Sequence, residues 1–152
     1  GVLQPSLINI PADKQGMYEN DRKKEYLKRY HAAEIAEKEI REEIDKLRLD
    51  KMFPALIQDG MPHGSSCVDL SKYAAQLDEL LTELKNQMEQ RIKIRREITQ
   101  EIEKMENETE KTVLRLRYIY WLRWEQIAER MGYSQEYAQR IHKKALRNFK
   151  MS

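Results

Sequence analysis

Apolar side chains recur at spacings of four and three residues over two long stretches of this 152-residue chain, a period that a helix satisfies and a strand does not. Between Asp21 and about Lys51 the stripe runs through Tyr26, Tyr30, Ala33, Ile40, Ile44 and Leu47, interrupted only by Glu37. From Leu70 to Met105 it resumes as heptads at Leu77, Leu81, Leu84, Met88, Ile98, Ile102 and Met105, with Ile92 and Ile94 beside it and Arg91 and Arg95 at two seam positions. Two such helices bury their stripes against each other as an antiparallel hairpin, or against a second copy of the chain as a coiled-coil dimer. The period alone does not choose between them. The two seam arginines predict an imperfect zipper whose surface suits a partner.

Breaks in the pattern divide the chain. Phe53-Pro54 and the run Asp59-Gly60-Met61-Pro62-His63-Gly64-Ser65-Ser66 hold the residues that end helices, which predicts a connector over residues 52–69. Near Lys104–Glu106 the apolar repeat lapses, and Asn107 with Glu110 three residues on has the form of a capping box. The predicted organisation is therefore an N-terminal tail over 1–20, a coiled helical arm over 21–106, and a separate domain over 107–152. With 36% charged residues, 5 Gly and 4 Pro, the chain is expected to be all-α.

No apolar run is long enough to span a bilayer, and Gly1-Val2-Leu3-Gln4-Pro5 lacks the basic-then-apolar form of a signal peptide. A soluble, cytoplasmic protein is expected. A first residue of Gly suggests a trimmed tag or altered start, with Met17 as an alternative, so residues 1–16 carry little weight. Cys67 is the single cysteine, which suits a reducing compartment.

Charge is unevenly spread. Residues 111–152 carry ten Lys or Arg against three Glu, a balance of +7, while residues 1–110 carry eighteen against twenty-three, a balance of −5. A basic end on an acidic body is the footprint of nucleic-acid binding confined to one end. The same segment reads as three short helices. Val113, Leu114, Leu116 and Ile119 mark the first, about Glu108–Tyr120. Ile127, Ala128 and Met131 mark the second, Trp124–Met131. Ala138, Ile141, Ala145, Leu146 and Phe149 mark the third, Gln135–Phe149. Gly132 falls where a helix end needs a left-handed residue, and Ser134 where the next helix needs an N-cap.

That is the grammar of a helix-turn-helix, whose last helix enters the major groove by its N-terminal part. Gln135, Glu136, Gln139 and Arg140 are then the candidates for base readout: Gln suits adenine, Glu the cytosine amino group, Arg guanine O6 and N7. Lys143, Lys144, Arg147 and Arg123 are the candidates for phosphate contacts. Trp124 is expected to pack rather than stack on a base, with its indole N–H within reach of a phosphate oxygen.

Val113-Leu114-Arg115-Leu116-Arg117-Tyr118, the run from Trp124 to Ser134, and Arg140-Ile141-His142-Lys143-Lys144-Ala145-Leu146 together resemble region 4 of bacterial sigma factors, the part that reads the promoter −35 element. The resemblance covers roughly forty residues and implies that Gln135, Glu136 and Arg140 touch −35 bases. This chain has Arg123 where the family usually has a small capping residue. Helix pair, connector and C-terminal domain also resemble a small family of sigma-like proteins of bacteriophages and prophages of Gram-positive bacteria, described as late-gene transcription regulators. The connector Gly60-Met61-Pro62-His63-Gly64-Ser65 carries that second likeness.

Melting a promoter needs surfaces on which unpaired bases stack, and the aromatics Tyr18, Tyr26, Tyr30, Phe53 and Tyr73 are too scattered to supply one. The expected function is thus an accessory, sigma-like activator that binds double-stranded promoter DNA, with RNA polymerase as a partner and the arm as a site of homodimerisation. Two alternatives remain at this stage. One is a terminase small-subunit-like DNA recognition protein, and the other is a polymerase-binding protein without DNA readout. His63 and Cys67, four apart, fall short of the four ligands of a structural zinc site, and His31 and His142 stand singly on helices. No catalytic residues, cofactor, metal site or membrane association are expected.

Overall fold

The computed structural model describes residues 11–57 and 67–151, which hold helices and no strands. After a single turn at Ala12–Lys14 come α1 (Gln15–Leu27), α2 (Arg29–Ile57), α3 (Cys67–Glu103), α4 (Glu108–Leu114), α5 (Trp124–Met131) and α6 (Gln135–Asn148). The fold is all-α, as the periodicity predicts. Among the described residues no helix is long and apolar enough to cross a membrane.

Two boundaries differ from those read in the sequence. The first helix starts earlier than Asp21 and breaks at Lys28, whose N–H still donates to the Lys24 carbonyl at 2.9 Å. The helical backbone also continues past Pro54 to Ile57 and begins again at Cys67, so helix occupies both ends of the expected connector. Its centre, with Gly60, His63 and Ser65, lies outside the described residues.

The chain divides into two compact units, one of residues 32–93 and one of residues 1–31 with 94–152. In the first, α2 and α3 pair antiparallel: Gln87 Nε2 donates to the Ala33 carbonyl at 3.4 Å, Arg41 reaches the Met88 sulfur at 3.7 Å, and Lys51 sits 5.8 Å from the Tyr73 ring centre. The hairpin is thus formed within one chain, burying Ala33, Ile40 and Ile44.

Glu37, the interruption in the first stripe, is buried and holds two guanidiniums, that of Arg41 at 3.0 Å and that of Arg91. Burial pushes its carboxyl toward the neutral form, but hydrogen bonds from Arg41 and Arg91 outweigh it and hold the pKa below the ordinary carboxylate value. The polar gap in one helix and the seam arginine in the other are one interaction.

In the second unit, Leu27 and Tyr30 from α1 and the start of α2 and Ile98 and Ile102 from the end of α3 form one core with Leu114, Tyr118, Ile119, Ala145, Leu146 and Phe149. A smaller cluster of Leu116, Ile127, Ala128 and Ala138 lies beside it, flanked by Leu122, Trp124 and Met131. Each fully buried Leu, Ile or Phe stabilises the fold by about 1.5 to 3 kcal/mol. The core of the three C-terminal helices is therefore completed by side chains from outside 107–150.

Candidate nucleic-acid interface

α4 opens where the sequence places it. Asn107 accepts from the Glu110 N–H at 2.9 Å, while the Glu110 carboxylate turns away from the reciprocal bond and accepts from Asn148 Nδ2 at 2.9 and 3.1 Å, tying α4 to the end of α6. The first helix does not run regularly to Tyr120. Arg115–Ile119 form a π turn, closed by the Tyr120 N–H on the Arg115 carbonyl at 3.1 Å. Trp121 follows with φ 54°, a left-handed conformation that costs a non-glycine residue about 1 to 2 kcal/mol. Its ring lies flat against His31, centroids 3.7 Å apart and planes 7° from parallel, an attachment that helps fix the strained residue.

The caps between α5 and α6 match the expectation. Gly132 adopts φ 73°, the N–H of Tyr133 donates to the Ala128 carbonyl at 2.9 Å, and Ser134 Oγ accepts from the Tyr137 N–H at 3.1 Å. Arg123 has no side-chain acceptor with which to cap α5. Instead its backbone N–H donates to Gln126 Oε1 at 3.0 Å, half of a capping box supplied from inside the helix.

α6 has two unlike sides. Ala138, Ile141, His142, Ala145 and Leu146 are buried, whereas Gln135, Gln139, Lys143 and Arg147 form one exposed row at four-residue spacing and Glu136, Arg140 and Lys144 a second row beside it. Seven of the eight residues singled out in the sequence thus share one solvent face. Arg123 is exposed too, but stands at the start of α5.

Of the ten basic residues, Lys111 and Arg115 are held by carboxylates: the buried Lys111 by Glu108 at 3.0 Å and Glu103 at 3.4 Å, and the partly exposed Arg115 by Glu103 at 2.7 Å. Arg117 donates to the Leu122 carbonyl at 2.9 Å and lies 4.8 Å from the Trp124 ring centre. The charge that remains outward is concentrated on α6.

Sequence reasoning passes over several residues here. Tyr133 and Tyr137 meet edge to face at 4.8 Å, and Arg140 lies 5.6 Å from the Tyr137 ring centre, so a base-reading candidate leans on an exposed aromatic. The Tyr133/Tyr137 spacing around the Ser134 cap was the available signal. His142 is buried, its Nε2 2.7 Å from the Tyr118 hydroxyl, and its ring meets Trp124 edge-on at 4.8 Å, so Trp124 packs as expected. Burial, with Lys24 and Arg117 nearby, pulls the His142 pKa down to about 4, and burial raises that of Tyr118.

A helix, a three-residue turn and a second helix over a shared core, with the second helix presenting a basic outer face, define a helix-turn-helix of the DNA-binding class. Residues 107–150 match the family described as Sigma-70, region 4, so this segment is a sigma region 4-like helix-turn-helix. No curated protein and no solved structure matches the chain.

Proposed function

We propose that the protein is a sigma-like accessory activator of transcription that reads a promoter element through α6. The observation that carries the reading is the outer face of that helix. Gln135, Glu136, Gln139 and Arg140 occupy its first two turns, where a recognition helix meets base edges, and Lys143, Lys144 and Arg147 follow where phosphates lie. Region 4 is a domain for binding DNA, which supports the same reading.

The finer assignments rest on the sequence. Resemblance to phage and prophage late-gene regulators makes late genes the proposed targets, and the scattered aromatics outside 107–150 argue for a protein that recruits RNA polymerase without melting the promoter itself. The hairpin of residues 32–93 is the part we assign to self-association or polymerase contact. The deciding experiment is binding of the purified chain to phage or prophage promoter fragments against random duplex, with salt titrated. Retention of particular fragments above the electrostatic background supports promoter reading. Equal weak binding to every duplex, or none, overturns it, and capture of RNA polymerase in that case favours an interaction protein.

A further inference from the structure

α1 lies outside the region 4 match, yet it runs alongside the recognition helix. Asn20 Nδ2 reaches the Lys143 carbonyl at 3.5 Å, and Lys23 Nζ donates to the carbonyls of Leu146 and Arg147 at 2.8 and 3.1 Å. Those last two carbonyls belong to the end of α6, where a helix has no internal donors left, so Lys23 closes it. Because residue 20 meets 143 and residue 23 meets 146, the two helices run in the same direction.

Between α1, the π turn and α6 is a groove of about 1060 Å³, whose walls include Lys24, Lys28, Arg117, Gln139, Lys143 and Arg147. Glu19 and Asp21 also border it, but each has a neighbouring cation, Arg22 at 3.5 Å and Lys24 at 3.8 Å, so the groove is positive on balance. Among the described residues, Lys24 and Lys28 form ion pairs with exposed carboxylates three residues away, weak surface contacts that a phosphate readily displaces. Gln139, Lys143 and Arg147 belong to one of the two exposed rows of α6, so the groove begins where the proposed DNA-facing surface ends.

We infer that this groove takes the phosphate backbone of the DNA strand flanking the base pairs under α6, with Lys24 of α1 and Lys28 at its C-cap as the outer contacts. The inference rests on DNA binding through α6. A helix seated in a major groove about 12 Å wide has a phosphate ridge close along each side, and a parallel helix bearing cations on the Gln139–Arg147 side meets one of those ridges. The occupant is a polyanion at fixed spacing, for which lysine point charges on flexible stems are sufficient. α1 thereby turns a three-helix reader into a wider clamp that acts through charge and adds affinity without sequence preference.

The test uses the full chain carrying Lys24→Gln and Lys28→Gln together, with fluorescence anisotropy on promoter and random duplexes across a salt series and hydroxyl-radical footprinting at low salt. Removal of two phosphate contacts lowers the slope of log affinity against log salt by about 1.8. The loss should be equal on both duplexes, largest at low salt, and accompanied by loss of protection on one flank of the footprint only. Both side chains are half-exposed, and an unchanged thermal melt shows that the variant is folded. A variant with the wild-type slope and full footprint overturns the groove assignment while leaving DNA reading by α6 intact. A wild-type chain that binds no duplex overturns both.

Discussion

The Tyr118 hydroxyl and His142 Nε2 stand 2.7 Å apart in the interior of the helix-turn-helix unit, where the imidazole is disfavoured as a cation. The neutral ring and the phenol share a hydrogen bond whose direction follows the imidazole tautomer, and protonation would place a charge next to Lys24 and Arg117 with little water to solvate it. The folded-state pKa of His142 lies near 4 against an ordinary 6.5, so between those values the unfolded chain binds more protons. Stability is then fully present above pH 6.5 and lost as pH falls toward 4, by about 3 kcal/mol across that window. Thermal melts at pH 7.5, 6, 5 and 4 should show the decline, and His142→Gln should flatten it while lowering stability at pH 7.5. A wild-type melt independent of pH over that range would refute the buried neutral histidine.

Arg140 and Lys144 are neighbours in one exposed row of α6 but are assigned different work. Arg140→Ala should cost about 1 to 3 kcal/mol on a preferred site and blur its sequence preference, while Lys144→Ala should weaken all duplexes alike and reduce the salt slope by about 1. Binding curves for each variant on matched and scrambled sites separate the two. Identical behaviour on every sequence would remove Arg140 from base readout.

Trp121 combines a left-handed backbone with a ring stacked on His31. Both Trp121→Ala and Trp121→Gly lose the stack, but only glycine also removes the cost of φ 54°, about 1 kcal/mol. Calorimetry should place the glycine variant above the alanine variant in melting temperature, the reverse of the order in an ordinary helix.

Ile98 is fully buried in the core that serves the C-terminal helices, though it lies on α3 and outside the region 4 match. Ile98→Ala should destabilise the unit by about 2 to 5 kcal/mol, as much as Leu146→Ala. Both tryptophans, Trp121 and Trp124, lie in this unit, so denaturant unfolding followed by their fluorescence reports on it directly.

Glu37→Leu alone removes the buried carboxylate that Arg41 and Arg91 share and should destabilise the hairpin by about 1 to 3 kcal/mol. Glu37→Leu with Arg91→Leu replaces the ion pair by an apolar contact across the seam and should recover most of that loss, measured by the helical signal on urea titration.

Much of the architecture could be read from spacing. The 3.6-residue period marks α2 and α3, and Gly132 and Ser134, each needed for one backbone geometry, give the α5–α6 turn residue by residue. The α6 rows followed from the same period once the caps fixed where the helix starts. The break at Lys28 was hidden because Tyr26 and Tyr30 keep the four-residue spacing across it. The π turn was hidden because Val113, Leu114, Leu116 and Ile119 fit a regular helix nearly as well. Glu37 with Arg91, and Trp121 with His31, are pairings between distant positions, and one-dimensional periodicity carries no information about which residues across a fold will meet.

The bond from Lys23 to the end of α6 spans 123 residues of chain. Folding of the reader is therefore governed by contact order: α5 and α6 can form their turn locally, but the core that Leu27 and Tyr30 complete waits for the first helix and the last to find each other. During synthesis α1 leaves the ribosome long before α6 exists, and its apolar side chains spend that interval exposed to water or to chaperones. The docking of α1 is accordingly the step that should set the folding rate of the unit.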